Sequence, residues 1–223
     1  MGHLHRLIAF DLDGTLIDSR RDLADSANQL IEELGGQALT EEEIGGMVGD
    51  GAALLVRRAM RAAGRGERAH ALERFLEIYD RRLLTHTRLY DGVADVVRGA
   101  RAHARLTVLT NKPIAPTERI LSALGLRDAF DEVVGGDGAL PRKPDPAALQ
   151  AMMTSAGATA AETLLVGDSA IDLETARRAG ARCCLVSYGF GFRPELRTEA
   201  PDLRVADDAR GLARAIDEFA NAV

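Results

Sequence analysis

The sequence predicts an α/β protein: a doubly wound parallel sheet with an all-helical segment inserted after the first strand. Three observations predict it. Short apolar runs each end in polar or glycine-rich residues. From Leu106 onward these runs alternate with helical stretches, the pattern of a parallel sheet covered on both faces. Residues 16 to 88 carry helical periodicity and no strand signal. The chain has 223 residues, 46% of them hydrophobic, and folding a chain of that size buries roughly 70% of its unfolded surface.

The elements follow in order. Leu7–Phe10 is the first strand. In the inserted segment, Leu23, Ala27, Leu30, Ile31 and Leu34 share one helical stripe, Ala52–Met60 forms a second helix pattern, and Leu72, Phe75, Leu76, Tyr79 and Leu83 share a third stripe. Further strands are expected at Leu106–Leu109, Val133–Val134, Leu164–Val166 and Cys183–Val186, with a weaker one at Leu203–Ala206. Between them, residues 117–124 carry Ile120, Leu121 and Leu124, and residues 145–156 carry Leu149, Met152 and Met153. Residues 169–179 begin with Ser169 as N-cap and stop before Gly180. The division is residues 1–15 and 89–223 for the α/β core and 16–88 for the helical domain.

Composition excludes some partners. The formal charge is −6 with no basic block, which argues against nucleic acid. No apolar run approaches the ~20 residues of a membrane span, and the run after Met1–Arg6 is too short for a signal-peptide core. Cys183 and Cys184 are adjacent on a strand, where a mutual disulfide would be strained. They are read as reduced core residues, and the protein as soluble and cytoplasmic. Of 28 cationic residues only Lys112 and Lys143 are lysines. Lysines surviving in an arginine background mark places where a compact ammonium fits and a planar guanidinium does not.

In an open parallel sheet, ligands bind at the carboxyl ends of the strands. Asp11 and Asp13 follow the first apolar run, and Thr110, Asn111 and Lys112 the second. Lys143 lies in the loop after the third, and Asp168, Ser169 and Asp172 follow the fourth. Asp11 and Asp13, two apart on an extended chain, lean to the same side. Together with Asp168 they would repel one another unless a hard divalent cation such as Mg²⁺ lies among them. Three acids, a metal, a lysine and hydroxyl donors suit phosphoryl transfer.

Four strings carry a family resemblance: DLDGT at 11–15, LTNKP at 109–113, RKPDP at 142–146 and VGDSAID at 166–172. In this order the chain resembles the haloacid dehalogenase superfamily of phosphatases over its whole length. The helical insert stands where that superfamily's first cap type does, on a Rossmann-like core. VVGGDGALPRKPDPAAL, SYGFG at 187–191 and MVGDGAALLVRRAM in the insert resemble the phosphoglycolate phosphatase branch.

The resemblance implies roles. Asp11 is the nucleophile that forms an aspartyl-phosphate. Asp13 protonates the leaving alcohol, then activates water, and gives its backbone carbonyl to the metal. Thr110 and the Asn111 amide hold phosphate oxygens, and Lys143 neutralises charge between Asp11 and the phosphate. Asp168 binds the Mg²⁺ directly, and Asp172 binds it or its water. Gly14 permits a tight turn. Lys112 is left to face solvent or the cap. Ser169 reads as a helix cap, and Asp145 as a brace for its loop or for Lys143. The histidines, His3, His5, His70, His86 and His103, form no ligand set. Gly45-Gly46 and Gly49-Asp50-Gly51 follow no strand and read as a cap loop facing the site.

The implied activity is hydrolysis of a small phosphorylated metabolite, 2-phosphoglycolate first. A pyrophosphatase or a β-phosphoglucomutase-like mutase shares the motifs. A dehalogenase would need neither Asp13 nor Asp168, and a phosphonoacetaldehyde hydrolase would need a cap lysine, which residues 16–88 lack. A receiver-type phosphoacceptor would need neither the insert nor Asp13. Asp50, Arg57 and Arg58 are candidates for binding a substrate carboxylate, although a solvated helix face accounts for the arginines equally. Nothing in the sequence sets the oligomeric state.

Overall fold

A computed structural model of the protein describes residues 6–200 and 203–222; His3 and His5 lie outside them. In chain order the strands are β1 (Leu7–Phe10), β2 (Ile17–Asp18), β3 (Arg88–Leu89), β4 (Arg105–Leu109), β5 (Glu132–Val134), β6 (Thr163–Gly167), β7 (Arg182–Val186) and β8 (Arg204–Ala206). Six of them form one sheet in the order β5-β4-β1-β6-β7-β8, every neighbouring pair parallel. The order reverses at β1: the chain builds outward through β4 and β5, then returns to the other side of β1 at β6.

The alternation of side chains explains why both faces are covered. Ile8 and Phe10 of β1, Leu106 and Val108 of β4 and Leu164 and Val166 of β6 join one buried cluster. Leu7, Ala9, Leu109 and Leu165 join the other. The first face is closed by α5 (Val93–Ala100), α6 (Ile114–Ala123) and α10 (Ala209–Asn221), and the second by α7 (Ala147–Ala156) and α8 (Ala170–Ala179). A short α9 (Leu196–Glu199) lies before β8.

Between β1 and β4 the chain forms α1 (Arg20–Glu33), α2 (Glu41–Gly45), α3 (Ala52–Ala62) and α4 (Ala71–Arg82). Their inner residues, among them Leu30, Leu55 and Phe75, belong to the same buried cluster as Leu16 and Ile17. The insert therefore packs continuously onto one side of the core. Its entry and exit are tied together: β2 pairs antiparallel with β3, Ile17 opposite Leu89 and Asp18 opposite Arg88.

The structure corrects some sequence expectations. β2 and the start of β3 lie within residues 16–88, where no strand was expected, because a two-residue strand leaves no period to read. α2 was also unforeseen; Thr40 and Glu43 form its capping box. On α4 the buried stripe is Ala71, Phe75, Ile78 and Tyr79. Leu72, expected inside, is 37% exposed. α6 begins three residues earlier than expected, and α7 two residues later. The two cysteines are unpaired.

Candidate active site

The carboxyl ends of β4, β1 and β6 stand side by side, and the sequence places chemistry on each. Beyond β1 the Asp11 amide still donates to the Val166 carbonyl of β6 (2.8 Å), and the Thr110 amide donates to Val134 of β5 (3.0 Å). Both residues are thus fixed as extensions of the ladder. Asp168 continues β6. Gly14 makes the turn the sequence called for: its φ is +85°, and a Cβ there would lie 2.0 Å from Asp168 Oδ2.

Lys143 reaches this rim from the loop before α7, and its side chain is 2% exposed. Its Nζ lies 2.9 Å from Asp11 Oδ1 and 2.6 Å from Asp172 Oδ1. The other oxygen of Asp172 accepts from the Asp168 amide (3.2 Å), the Ser169 amide (3.1 Å) and the Ser169 hydroxyl (2.7 Å). Asp172 therefore braces Lys143 on one side and ties the end of β6 to the first turn of α8 on the other. Asp145, near Lys143 in sequence, accepts from the Ala147 amide at the start of α7 (2.9 Å).

Asp11, Asp168 and Asp172 each offer a carboxylate oxygen, all within 4.8 Å of one another and all buried. Electrostatics follow from that crowding. Burial lifts the Asp11 carboxyl to about 6, Lys143 working against the rise and Asp172 adding to it. Asp168 is raised well above the usual carboxylate range, first by burial, then by Asp172 and Asp11. Burial alone would lower Lys143, but Asp11 and Asp172 more than offset it and the ammonium is held firmly charged. An all-oxygen, buried, electron-rich donor set of this kind fits a hard divalent cation.

Asp13 lies apart from that trio. Lys112 Nζ sits 3.0 Å from both of its oxygens, and the Ser19 hydroxyl donates to Oδ1 at 2.6 Å. Lys112 also donates to the Tyr79 hydroxyl of α4 (2.7 Å). It faces the insert as the sequence allowed, but it is buried; the sequence placed Tyr79 only on a helical stripe and gave no sign of Ser19. Asn111 is spent on structure: Nδ2 donates to the Gly49 carbonyl of the insert (2.8 Å) and to the Lys143 carbonyl (2.9 Å). The Gly191 amide, within SYGFG, donates to Asp168 Oδ2 at 2.7 Å.

The cavity above this floor is bounded below by Asp11, Asp13, Thr110, Asn111 and Lys112, and above by the insert's Val48, Gly49, Leu55, Phe75 and Tyr79. Its free space of about 50 Å³ holds three or four waters at roughly 15 Å³ each. The candidate carboxylate binders of the insert are not in this cavity. Arg58 pairs with Asp50 (2.6 Å) and Arg57 with Glu67 (2.8 Å) on the exposed side of α3, the solvated face that the sequence left open.

Comparison with known proteins agrees with this geometry. A family model described as haloacid dehalogenase-like hydrolase matches residues 8–186. A phosphoglycolate phosphatase of Rhodospirillum rubrum is 40% identical over 216 residues, covering 93% of this chain and 89% of that protein. One of Pseudomonas putida is 38% identical over 222 residues, 95% of this chain and 79% of its own. The crystal structure of a predicted phosphoglycolate phosphatase from Haemophilus somnus superposes with a TM-score of 0.87 at 29% identity, covering 96% of this chain and 99% of that one.

Proposed function

From the premise that the chain belongs to the haloacid dehalogenase-like hydrolase family, we propose that it hydrolyses 2-phosphoglycolate to glycolate and phosphate with Mg²⁺ bound. The observation that carries the chemistry is the salt bridge of 2.9 Å between Lys143 and Asp11 at the end of the central strand. It holds an otherwise reluctant carboxylate ionised beside a fixed cation. The likeness to phosphoglycolate phosphatases at 36–40% identity supports the substrate.

Asp11 attacks phosphorus and the bond to the leaving oxygen breaks, giving an aspartyl-phosphate. Asp13 donates a proton to the departing alkoxide and then takes one from the water that hydrolyses the intermediate. Lys143 neutralises charge on the transferring group, and Thr110 with the Asn111 amide holds its oxygens. Asp11, Asp168 and the Asp13 carbonyl would hold the Mg²⁺, which supplies electrostatic stabilisation of phosphate charge when bound. Asp172 acts with them, against the ion or its water and through Lys143. Residues 16–88 act as the cap over the core formed by 1–15 and 89–223, closing on a small soluble ester and excluding bulk water. The setting is the cytoplasm, consistent with two unpaired cysteines.

The test is kcat/KM with Mg²⁺ across 2-phosphoglycolate, pyrophosphate, sugar phosphates, pyridoxal phosphate and nucleoside monophosphates. A preference of about two orders of magnitude for phosphoglycolate corresponds to about 2.7 kcal/mol of differential transition-state binding. A flat profile would refute the substrate, and undiminished Mg²⁺-dependent hydrolysis by Asp11→Asn would refute the nucleophile.

A further inference from the structure

The contact between Lys112 and Tyr79 has no part in the roles assigned so far. Lys112 has a side chain 5% exposed, and a buried ammonium is costly unless its protons all find acceptors. Here they do. Three N–H donors meet three acceptors: both oxygens of Asp13 at 3.0 Å and the Tyr79 hydroxyl at 2.7 Å. Tyr79 is itself held, its ring stacked on Phe75 with centroids 5.9 Å apart and planes 3° from parallel. Among the side chains that the insert turns toward the cavity, Leu23, Val48, Ala52, Leu55, Phe75, Leu76 and Tyr79, the tyrosine hydroxyl is the one polar group.

The arrangement acts on Asp13 unevenly. Oδ1 accepts from Lys112 and from Ser19 (2.6 Å), whereas Oδ2 accepts from Lys112 alone. Oδ1 thus carries two donors and Oδ2 one, which leaves Oδ2 the less engaged oxygen. We propose that Lys112, clamped by Tyr79 of α4, is a positioning residue for Asp13: it fixes the carboxyl so that Oδ2 faces the leaving oxygen of the substrate. The inference rests on the reading of Asp13 as the proton donor of the proposed reaction. Because Tyr79 belongs to the insert, the clamp is complete only when the insert is seated on the core. Asp13 is then aligned in the same state that excludes water. Lys143 has no equivalent role, since its partners are Asp11 and Asp172.

A positioned acid matters in proportion to how badly the leaving group needs a proton. The experiment is steady-state kinetics at saturating Mg²⁺ on phosphate monoesters ranging from alkyl leaving groups to p-nitrophenol. The enzymes are wild type, Tyr79→Phe, Lys112→Met, Lys112→Arg and Asp13→Asn. General acid catalysis contributes about 10²–10⁴-fold. Lys112→Met should therefore lose about tenfold more kcat on alkyl esters than on p-nitrophenyl phosphate. Tyr79→Phe should show the same pattern at smaller amplitude with an unchanged melting temperature. Lys112→Arg should not rescue, because a planar guanidinium cannot replace a compact ammonium with three acceptors around it.

Equal losses across the series, or a rise in KM with kcat unchanged, would overturn the inference in favour of a structural or substrate-binding role. If Lys112→Met does not fold, Tyr79→Phe carries the test, since it retains the ring and its stacking. A steep leaving-group dependence for Asp13→Asn with flat Tyr79→Phe and Lys112→Met refutes the positioning alone. A flat Asp13→Asn refutes both the positioning and the reading of Asp13 on which it stands.

Discussion

Asp172→Asn separates two roles for this carboxylate by the sign of its effect. In the structure Asp172 is wholly buried and takes four donors on two oxygens: Lys143 on Oδ1, and the Asp168 amide, the Ser169 amide and the Ser169 hydroxyl on Oδ2. An asparagine side chain has one acceptor end and one donor end. Whichever way it turns, an amide N–H faces either the Lys143 ammonium or the donors at the start of α8. Breaking one side of a buried ion pair costs about 3–5 kcal/mol. Relief of repulsion toward Asp11 and Asp168 offsets only part of that, because Lys143 loses one of its two carboxylates. For a chain of this size each kcal/mol moves the melting temperature by about 2–4 °C, so a drop of about 10 °C is expected. The assay is thermal unfolding in EDTA, where no ion contributes. If Asp172 were only a metal ligand, removing its charge from an acid cluster would leave the metal-free protein as stable as wild type or more so. A melting temperature in EDTA equal to or above that of wild type would therefore refute the bracing argument.

Three further outcomes are expected. In Gly167→Ala the new Cβ would lie 2.2 Å from Asp172 Cγ and 2.5 Å from its Oδ2; overpacking of this kind costs about 1–3 kcal/mol, and kcat should fall at least about tenfold as Lys143 shifts, which denaturation and initial rates will show. The Asp11 carboxyl sits at about 6 against an ordinary 3.8 because burial outweighs Lys143; a raised carboxyl favours the folded state below about pH 4 and loses that contribution as pH rises through 6. Mg²⁺ competes with those protons, so the rise in melting temperature on adding it should grow from about pH 5 to about pH 7, and a rise that shrinks over this range would contradict the assignment. Asp22, wholly buried on α1, accepts through one oxygen from the His86 amide (2.9 Å), the Thr87 amide (2.8 Å) and the Thr87 hydroxyl (2.8 Å); Asp22→Ala strands these donors at about 1–3 kcal/mol each, and hydrogen exchange at the His86 and Thr87 amides should speed up accordingly.

What could be read in the sequence was local. A parallel sheet puts its ligands at strand ends, so four short strings after four apolar runs were enough to bring Asp11, Thr110, Lys143 and Asp168 to one rim. Gly14 was legible because a left-handed turn has a residue preference. The contacts that could not be read join distant residues. Lys112 meets Asp13 across 99 positions and Tyr79 across 33, and no spacing rule reaches that far. Tyr79 was assigned to a core stripe, as an aromatic at helical spacing usually is; its ring does pack there, and only its hydroxyl leaves the core. On α4 the expected stripe holds at Phe75, Tyr79 and the following Leu83, all buried, while Leu72 turns outward and Ile78 inward, because neighbouring apolar residues fit more than one rotation of the helix. On α10, by contrast, Leu212, Ala215, Ile216 and Phe219 form a buried stripe at regular helical spacing.

The two lysines divide the work of the site between them. Arginine supplies 26 of the 28 cations, leaving Lys112 and Lys143, and both are buried. Each stands where several acceptors converge on a single nitrogen, a geometry that suits a compact ammonium and not a planar fork. Lys143 answers Asp11 and Asp172, and Lys112 answers Asp13. Asp168 accepts from the Gly191 amide and, among the described residues, hydrogen-bonds to no lysine, although it is buried next to two other acids. Its carboxyl is accordingly pushed well above the usual range. A buried carboxylate without a cation is unstable as an ion, so ionising Asp168 calls for a charge from outside the chain. A divalent cation held by Asp168 and Asp11 would supply it. The protein thus furnishes two fixed positive charges for three of its site acids, and a bound cation would match the fourth.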